Sequence, residues 1–247
     1  MVSVTHFSKI YKSSPAVTDF SMECASGEIV GILGPNGAGK TTILKAICAR
    51  HFGTRGTILV NGCDTREETE KVRAMTGFVM EQSTLPGELK VCEYVRMIFD
   101  MGAEFKKSEK IVGQTVQDKN QAIARVKEQF SLESVWDKKI RTLSKGFKER
   151  VNFAQALVTN PPLLVLDEPA SGLDPAQIVN MRKMVKSLKK DHAIILSTHL
   201  MQEVDALCDR VYILNNGKCV ANGTSEEIMM KTSCDSLEAA FFKLTNE

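Results

Sequence analysis

Gly34-Pro35-Asn36-Gly37-Ala38-Gly39-Lys40-Thr41-Thr42 matches the pattern G-x-x-x-x-G-K-[ST], and the rest of the chain is read outward from it. A polyphosphate needs several backbone N–H groups turned inward, and glycines let the chain wrap closely around it. Lys40 is placed to reach the β- and γ-phosphates, and the Thr41 hydroxyl to ligate Mg²⁺. A helix starting near Gly39 points its positive dipole end at the anion. The flanks agree with this reading. Glu28-Ile29-Val30-Gly31-Ile32-Leu33 predicts a buried strand just before the loop, and Ile43-Leu44-Lys45-Ala46-Ile47 a helix just after it.

The 247 residues suffice for one large domain, or for a core carrying one inserted subdomain. With 43% hydrophobic and 25% charged residues the composition is that of a soluble globular protein. A net charge of +2 argues against broad electrostatic binding to nucleic acid. No apolar run approaches the roughly 20 residues that span a bilayer, and no signal peptide is visible, so work at a membrane is expected to go through a separate partner. Seven cysteines, scattered and without a C-x-x-C pair, suit reduced thiols better than a disulfide framework or a zinc site.

Partial alternation from Val2 to Tyr11 and from Val17 to Cys24 predicts half-buried strands. Thr57-Ile58-Leu59-Val60 runs into a tight Asn61-Gly62 turn, and Gly77-Phe78-Val79-Met80 is a short strand ending at Glu81-Gln82. From Lys90 to about Thr159 the spacing becomes helical, with the polar stretch from Lys106 to Gln121 as a solvated connection. Leu163 to Leu166 and Ala193 to Leu196 read as buried strands around a helix from about Pro175 to Lys189. Apolar strands alternating with helices indicate a parallel sheet covered on both faces. The fold class is therefore α/β: a phosphate-loop NTPase core with a mainly parallel sheet, N-terminal antiparallel strands and an inserted helical subdomain. The core is expected at about 1–82 and 160–230, the helical subdomain at about 83–159, and a C-terminal helix at about 235–245.

Leu163-Leu164-Val165-Leu166-Asp167-Glu168-Pro169 puts two carboxylates at the end of an apolar strand, where ligands sit in open parallel sheets. Asp167 is expected to hold Mg²⁺, and Glu168 to orient or deprotonate an attacking water.

Over nearly its whole length the chain resembles the nucleotide-binding subunits of ABC transporters, which carry their motifs in this order. The resemblance implies that Tyr11 stacks on adenine and that Gln82 contacts Mg²⁺ and water and signals to a membrane partner. It identifies Leu143-Ser144-Lys145-Gly146-Phe147 as the signature, Ser171-Gly172-Leu173-Asp174 as the loop after the acid pair, and His199 as the switch histidine. ATP and Mg²⁺ are the implied cofactors. Ser144, Gly146 and Asp174 are implied to serve the nucleotide held by a second subunit, most simply a copy of this chain. The other implied partner is a separate permease, which would hold the subunit on the inner face of the cytoplasmic membrane. The signature departs from the family's usual Leu-Ser-Gly-Gly-Gln: Lys145 and Phe147 replace a glycine and the glutamine. Signatures of this variant kind occur in the exporter branch that includes multidrug, antibiotic-resistance and gliding-motility systems, and the segment from Ser236 to Thr245 resembles that branch's ending.

Two other readings explain less. Translation and DNA-repair relatives carry paired domains or long coiled coils, which this chain lacks, and a small-molecule kinase leaves Ser144 to Phe147 and His199 without a role. A docking groove for the membrane partner is expected between Gln82 and Phe105, lined by Leu85, Met97, Met101 and Phe105.

Overall fold

The computed structural model describes residues 1–81, 85–108 (backbone alone for 105–108) and 118–245. The chain opens with two long antiparallel strands, β1 (Val2–Tyr11) and β2 (Ser14–Cys24), then enters β3 (Ile29–Leu33) and α1 (Lys40–Ile47). Next come β4 (Arg55–Val60), the two-residue β5 (Cys63–Asp64), α2 (Thr69–Ala74) and β6 (Thr76–Val79). Helices α3 (Val91–Ser108), α4 (Lys119–Gln129) and α5 (Lys145–Leu157) follow without an intervening strand among the described residues. The chain then alternates through β7 (Leu163–Asp167), α6 (Pro175–Leu188), β8 (Ala193–Thr198), α7 (Met201–Leu207) and β9 (Arg210–Asn215). It ends with β10 (Lys218–Gly223), α8 (Ser225–Thr232) and α9 (Leu237–Thr245).

The strands form two sheets. One is antiparallel, in the order β2-β1-β4-β5, and the other has the order β10-β9-β3-β8-β7-β6. In the second, β9, β3, β8, β7 and β6 are mutually parallel and only β10 runs antiparallel. Every residue of β3, β7 and β8 is buried, which is why these strands read as unbroken apolar runs. β1 buries Val2, Val4 and Phe7 and exposes residues between them, so its pattern is that of a strand with one dry face.

Helix starts are written in the sequence. Ser144 and Asp174 cap α5 and α6, and Pro175 follows Asp174 in the first turn, where its missing N–H costs nothing. The cores are likewise legible. One cluster lies between the two sheets around Phe7, Phe20 and Ile43. A second runs from Leu164 and Leu166 into the helical stretch through Phe130, Phe153 and Trp136. A third sits under α8 and α9 around Ile228, Leu237 and Phe241.

The predicted strands are present with slightly different ends: Thr57 to Val60 begins two residues earlier, and Gly77 to Met80 begins and ends one earlier. The β9–β10 hairpin is an element that hydrophobic pattern alone does not expose. Its turn, Asn216-Gly217, has φ of 47° and 76°, as a two-residue hairpin turn requires, and Asn61-Gly62 repeats that geometry.

Candidate functional site

The loop from Gly34 to Thr42 leaves the carboxyl end of β3, beside the ends of β8 and β7. The register puts Leu33 opposite Thr198 and Asp167 opposite Ser197, so the three strand ends stand level. Gly34 N–H donates to the Thr198 carbonyl at 3.3 Å, fixing where the loop departs. Gly39 takes φ of 105°, and a Cβ there would meet the Ala16 carbonyl at 2.6 Å, so only glycine fits. Gly37 has φ of 84° and open space around it, while Pro35, Asn36 and Gly37 are exposed. The Ala38 N–H is spent on the Pro35 carbonyl at 3.2 Å. Helix α1 starts at Lys40 with no side-chain cap, so the first-turn N–H groups of Lys40, Thr41 and Thr42 point out of the helix end without an intrahelical acceptor. That is the cradle a polyphosphate fits.

Lys40 is buried and donates to the Gly34 and Pro35 carbonyls at 2.7 and 3.2 Å. Its ammonium lies 3.0 Å from Glu168 Oε1, an oxygen that accepts no hydrogen bond and is held by charge alone. The other oxygen, Oε2, lies 2.7 Å from His199 Nδ1. Glu168 is only 8% exposed, and it turns out of β7 through left-handed backbone at φ 49°, a conformation that costs a non-glycine residue about 1–2 kcal/mol. Ser197 pins this turn: its carbonyl and hydroxyl both accept from the Glu168 N–H, at 3.2 and 3.1 Å. The Ser197 hydroxyl in turn donates to Asp167 Oδ1 at 2.7 Å, and Thr41 Oγ1 donates to the same oxygen at 3.2 Å. Ser197 is the site residue that the motifs miss; the signal available was its place two residues before His199, on the strand next to Asp167.

The donor set suits Mg²⁺. Thr41 and Asp167 offer hard oxygens side by side, and among the described residues no group of three or more His, Cys, Asp or Glu side chains could hold a metal ion. An ion here would take the rest of its shell from phosphate and water, as Mg²⁺ does. Gln82, the expected third contributor, lies outside the described residues.

The remaining candidates form other groups. Tyr11 is at the end of β1 and 46% exposed, with the Lys9 ammonium 5.0 Å from its ring centroid. The β1–β2 hairpin that carries Tyr11 continues through Ala16 into contact with Gly39. Ser144 and Asp174 are exposed and hold their own helices: Phe147 N–H reaches Ser144 Oγ at 3.5 Å, and Gln177 N–H reaches Asp174 Oδ1 at 2.9 Å. Gly146 lies between them, against the Gln177 amide. Among the described residues no hydrogen bond or ion pair joins these three to the loop, Asp167 or Glu168. The two departures from the usual signature have local partners. The Lys145 ammonium fills the space where a Cβ on Gly172 would sit, tying the signature to the loop after the acid pair, and Phe147 lies under the Arg150 guanidinium at 5.4 Å.

All seven cysteines are free thiols; Cys24, Cys48 and Cys92 are buried and the other four half-buried. Of the expected groove, Met97 and Met101 are exposed at 41% and 54%, whereas Leu85 packs against the helical core, and the Phe105 side chain lies outside the description. No described helix is long and apolar enough to cross a membrane.

The profile of the family described as "ABC transporter" matches residues 17–171. The "Probable multidrug ABC transporter ATP-binding protein YbhF" of Escherichia coli (strain K12) is 31% identical over 253 residues, covering 100% of this chain and 42% of that protein. This chain thus spans less than half the length of that relative. The "Lipopolysaccharide export system ATP-binding protein LptB" of Haemophilus influenzae is 30% identical over 232 residues, covering 93% of this chain and 92% of that one. Among solved structures, one described as an ATP-binding subunit of an ABC transporter superposes with a TM-score of 0.86 at 29% identity, covering 99% of both chains. Another, a dimeric cassette (MJ0796) in a post-hydrolysis state bound to ADP and Pi, gives 0.77 at 25% identity over 91% of this chain and 98% of that one.

Proposed function

This chain belongs to the ATP-binding family of ABC transporters, and from that premise we propose that it binds and hydrolyses ATP as one half of a dimer driving an exporter. The observation that carries the reading is the buried contact of Lys40 with Glu168, on the carboxylate that His199 also holds. Phosphate oxygens arriving at Lys40 compete with Glu168 Oε1 for the same ammonium. Released from Lys40, the carboxylate is free to accept a proton from the attacking water, with His199 keeping it oriented. Thr41 and Asp167, with Gln82, would hold Mg²⁺, which supplies charge neutralisation on the phosphate oxygens. Gly34, Pro35, Asn36, Gly37, Ala38, Gly39 and Thr42 shape the cradle, and Tyr11 offers its exposed ring to the adenine.

The second half of the site comes from another subunit. Ser144 and Asp174, exposed at helix starts, and the half-buried Gly146 approach the γ-phosphate held by the partner, so binding closes the pair and hydrolysis reopens it. The described relative bound to ADP and Pi is itself dimeric, which supports this arrangement. A separate permease would receive the motion through the exposed face around Met97 and Met101, holding the subunit at the inner face of the membrane. The names of the relatives, multidrug and lipopolysaccharide export, favour outward transport.

Glu168→Gln tests the assignment. The variant keeps its shape and loses the base, so it should bind ATP at least as tightly as the parent, turn over about 10²–10⁴-fold more slowly and accumulate as a dimer on gel filtration. Near-normal turnover would place the base elsewhere.

A further inference from the structure

We propose that His51 is a positioning residue for the nucleotide base, holding the Tyr11 ring edge-on and releasing it when protonated. The inference deepens the reading of Tyr11 as the adenine platform and rests on it. His51 follows α1 and is half-buried, yet both ring nitrogens are fully out of solvent and have no hydrogen-bond partner beyond the residue's own backbone. A buried polar ring whose nitrogens find no partner beyond their own backbone is costly and calls for an explanation. Its neighbour supplies one. The His51 and Tyr11 rings stand at 87° with centroids 6.2 Å apart, an edge-to-face pair.

Tyr11 otherwise has little to fix it: it is half exposed, and the Lys9 ammonium lies over its ring. Lys9 is itself tethered, donating to the Phe52 carbonyl at 2.7 Å, one residue beyond His51. Ring, ammonium and imidazole therefore form one cluster joining β1 to the segment after α1. The charged groups that face His51 are Lys9 from β1 and Lys45 from α1, both cationic. Burial first, and then Lys9, hold the imidazole below its ordinary value, so the neutral ring belongs to the folded arrangement. A proton on His51 finds no acceptor there beyond the residue's own backbone and two like charges nearby, so the side chain is driven from its place and Tyr11 loses its edge contact.

Calorimetric binding of ATP and of inorganic tripolyphosphate, each with Mg²⁺, separates base from phosphate recognition. Between about pH 7.5 and about pH 5.5 the parent should lose ATP affinity about three- to tenfold relative to tripolyphosphate. His51→Phe keeps an uncharged edge and should bind ATP like the parent at the upper pH, without the relative loss at the lower one. His51→Ala should weaken ATP by a similar factor at both, leaving tripolyphosphate unchanged. The proposal is overturned if His51→Ala weakens both ligands equally, or if His51→Phe retains the parent's pH profile. Tyr11→Ala serves as the reference: if it leaves the ATP to tripolyphosphate ratio unchanged, the adenine-platform reading itself fails. If it lowers the ratio while His51→Ala does not, only the role of His51 fails.

Discussion

The strand-end group and the helix-start group of this molecule are built by opposite rules. At the ends of β7 and β8 the functional polar side chains are tied to one another: Lys40 to Glu168, Asp167 to Ser197 and Thr41. All of these but the half-buried Thr41 are buried, with the exposed His199 at their edge. At the starts of α5 and α6, Ser144 and Asp174 are exposed, and their hydrogen bonds serve only the backbone of their own helices. A buried ionic group is assembled and pre-oriented before its ligand arrives, at the cost of desolvation that its members offset mutually. An exposed pair of helix starts is chemically unfinished within the chain. On the reading proposed above, the difference separates a half-site that the subunit assembles by itself from one that addresses a second subunit.

The largest effect should follow from breaking the buried half. Lys40→Ala leaves Glu168 charged and buried without its cation, which should cost about 3–5 kcal/mol of stability and remove nucleotide binding. Denaturant unfolding and calorimetry read the two losses together. Unchanged stability would mean that the pair is not formed in solution.

Ser144→Arg should break the exposed half with the opposite profile. Folding should lose only about 1 kcal/mol, the worth of a helix cap, and ATP binding to the isolated subunit should persist. Turnover should fall about 10²–10³-fold, as when one donor to the developing charge is lost. A large drop in melting temperature with normal turnover would reverse the comparison.

A smaller effect concerns Glu149, just after the signature, which lines a cavity of about 440 Å³ with Ser144, Phe147 and Gln177. Burial pushes its carboxyl up to about 7, with Lys145 opposing the shift. The folded value lies above the unfolded one, so the proton-linked stability is full below the unfolded value and is lost as pH rises through about 7. Glu149→Gln should therefore gain about 1–3 kcal/mol on the parent at about pH 8 and little at about pH 4. Thermal melts across that range check it, and parallel curves for the two proteins would contradict it.

The two halves were also unequally legible. Gly34 to Thr42 and Asp167-Glu168 carry their chemistry in spacing and in a strand that ends on acids, so sequence places them on the correct strand ends. Ser144 and Asp174 are readable as helix caps, because capping needs only neighbours in sequence. Which side chain bridges Asp167 to the Glu168 backbone is not readable, since Ser197 reaches them through strand register across 30 positions. The Lys145 side chain could not be oriented from sequence either, because Gly172 meets it only after α5 and α6 are packed. His51 shows no sequence signal at all. Its significance lies in ring nitrogens buried without a hydrogen-bond partner beyond their own backbone, and in its contact with Tyr11, which only a folded environment can reveal.

The split of the site between two subunits is tested most directly by complementation. A Lys40→Ala subunit and a Ser144→Arg subunit, each inactive alone, are mixed and the ATPase rate is measured on dimers shown to contain both. In such a dimer the two lesions fall in one composite site and leave the other whole, so activity from about one working site should return. Complete inactivity of the demonstrated mixed dimer would contradict the split-site account.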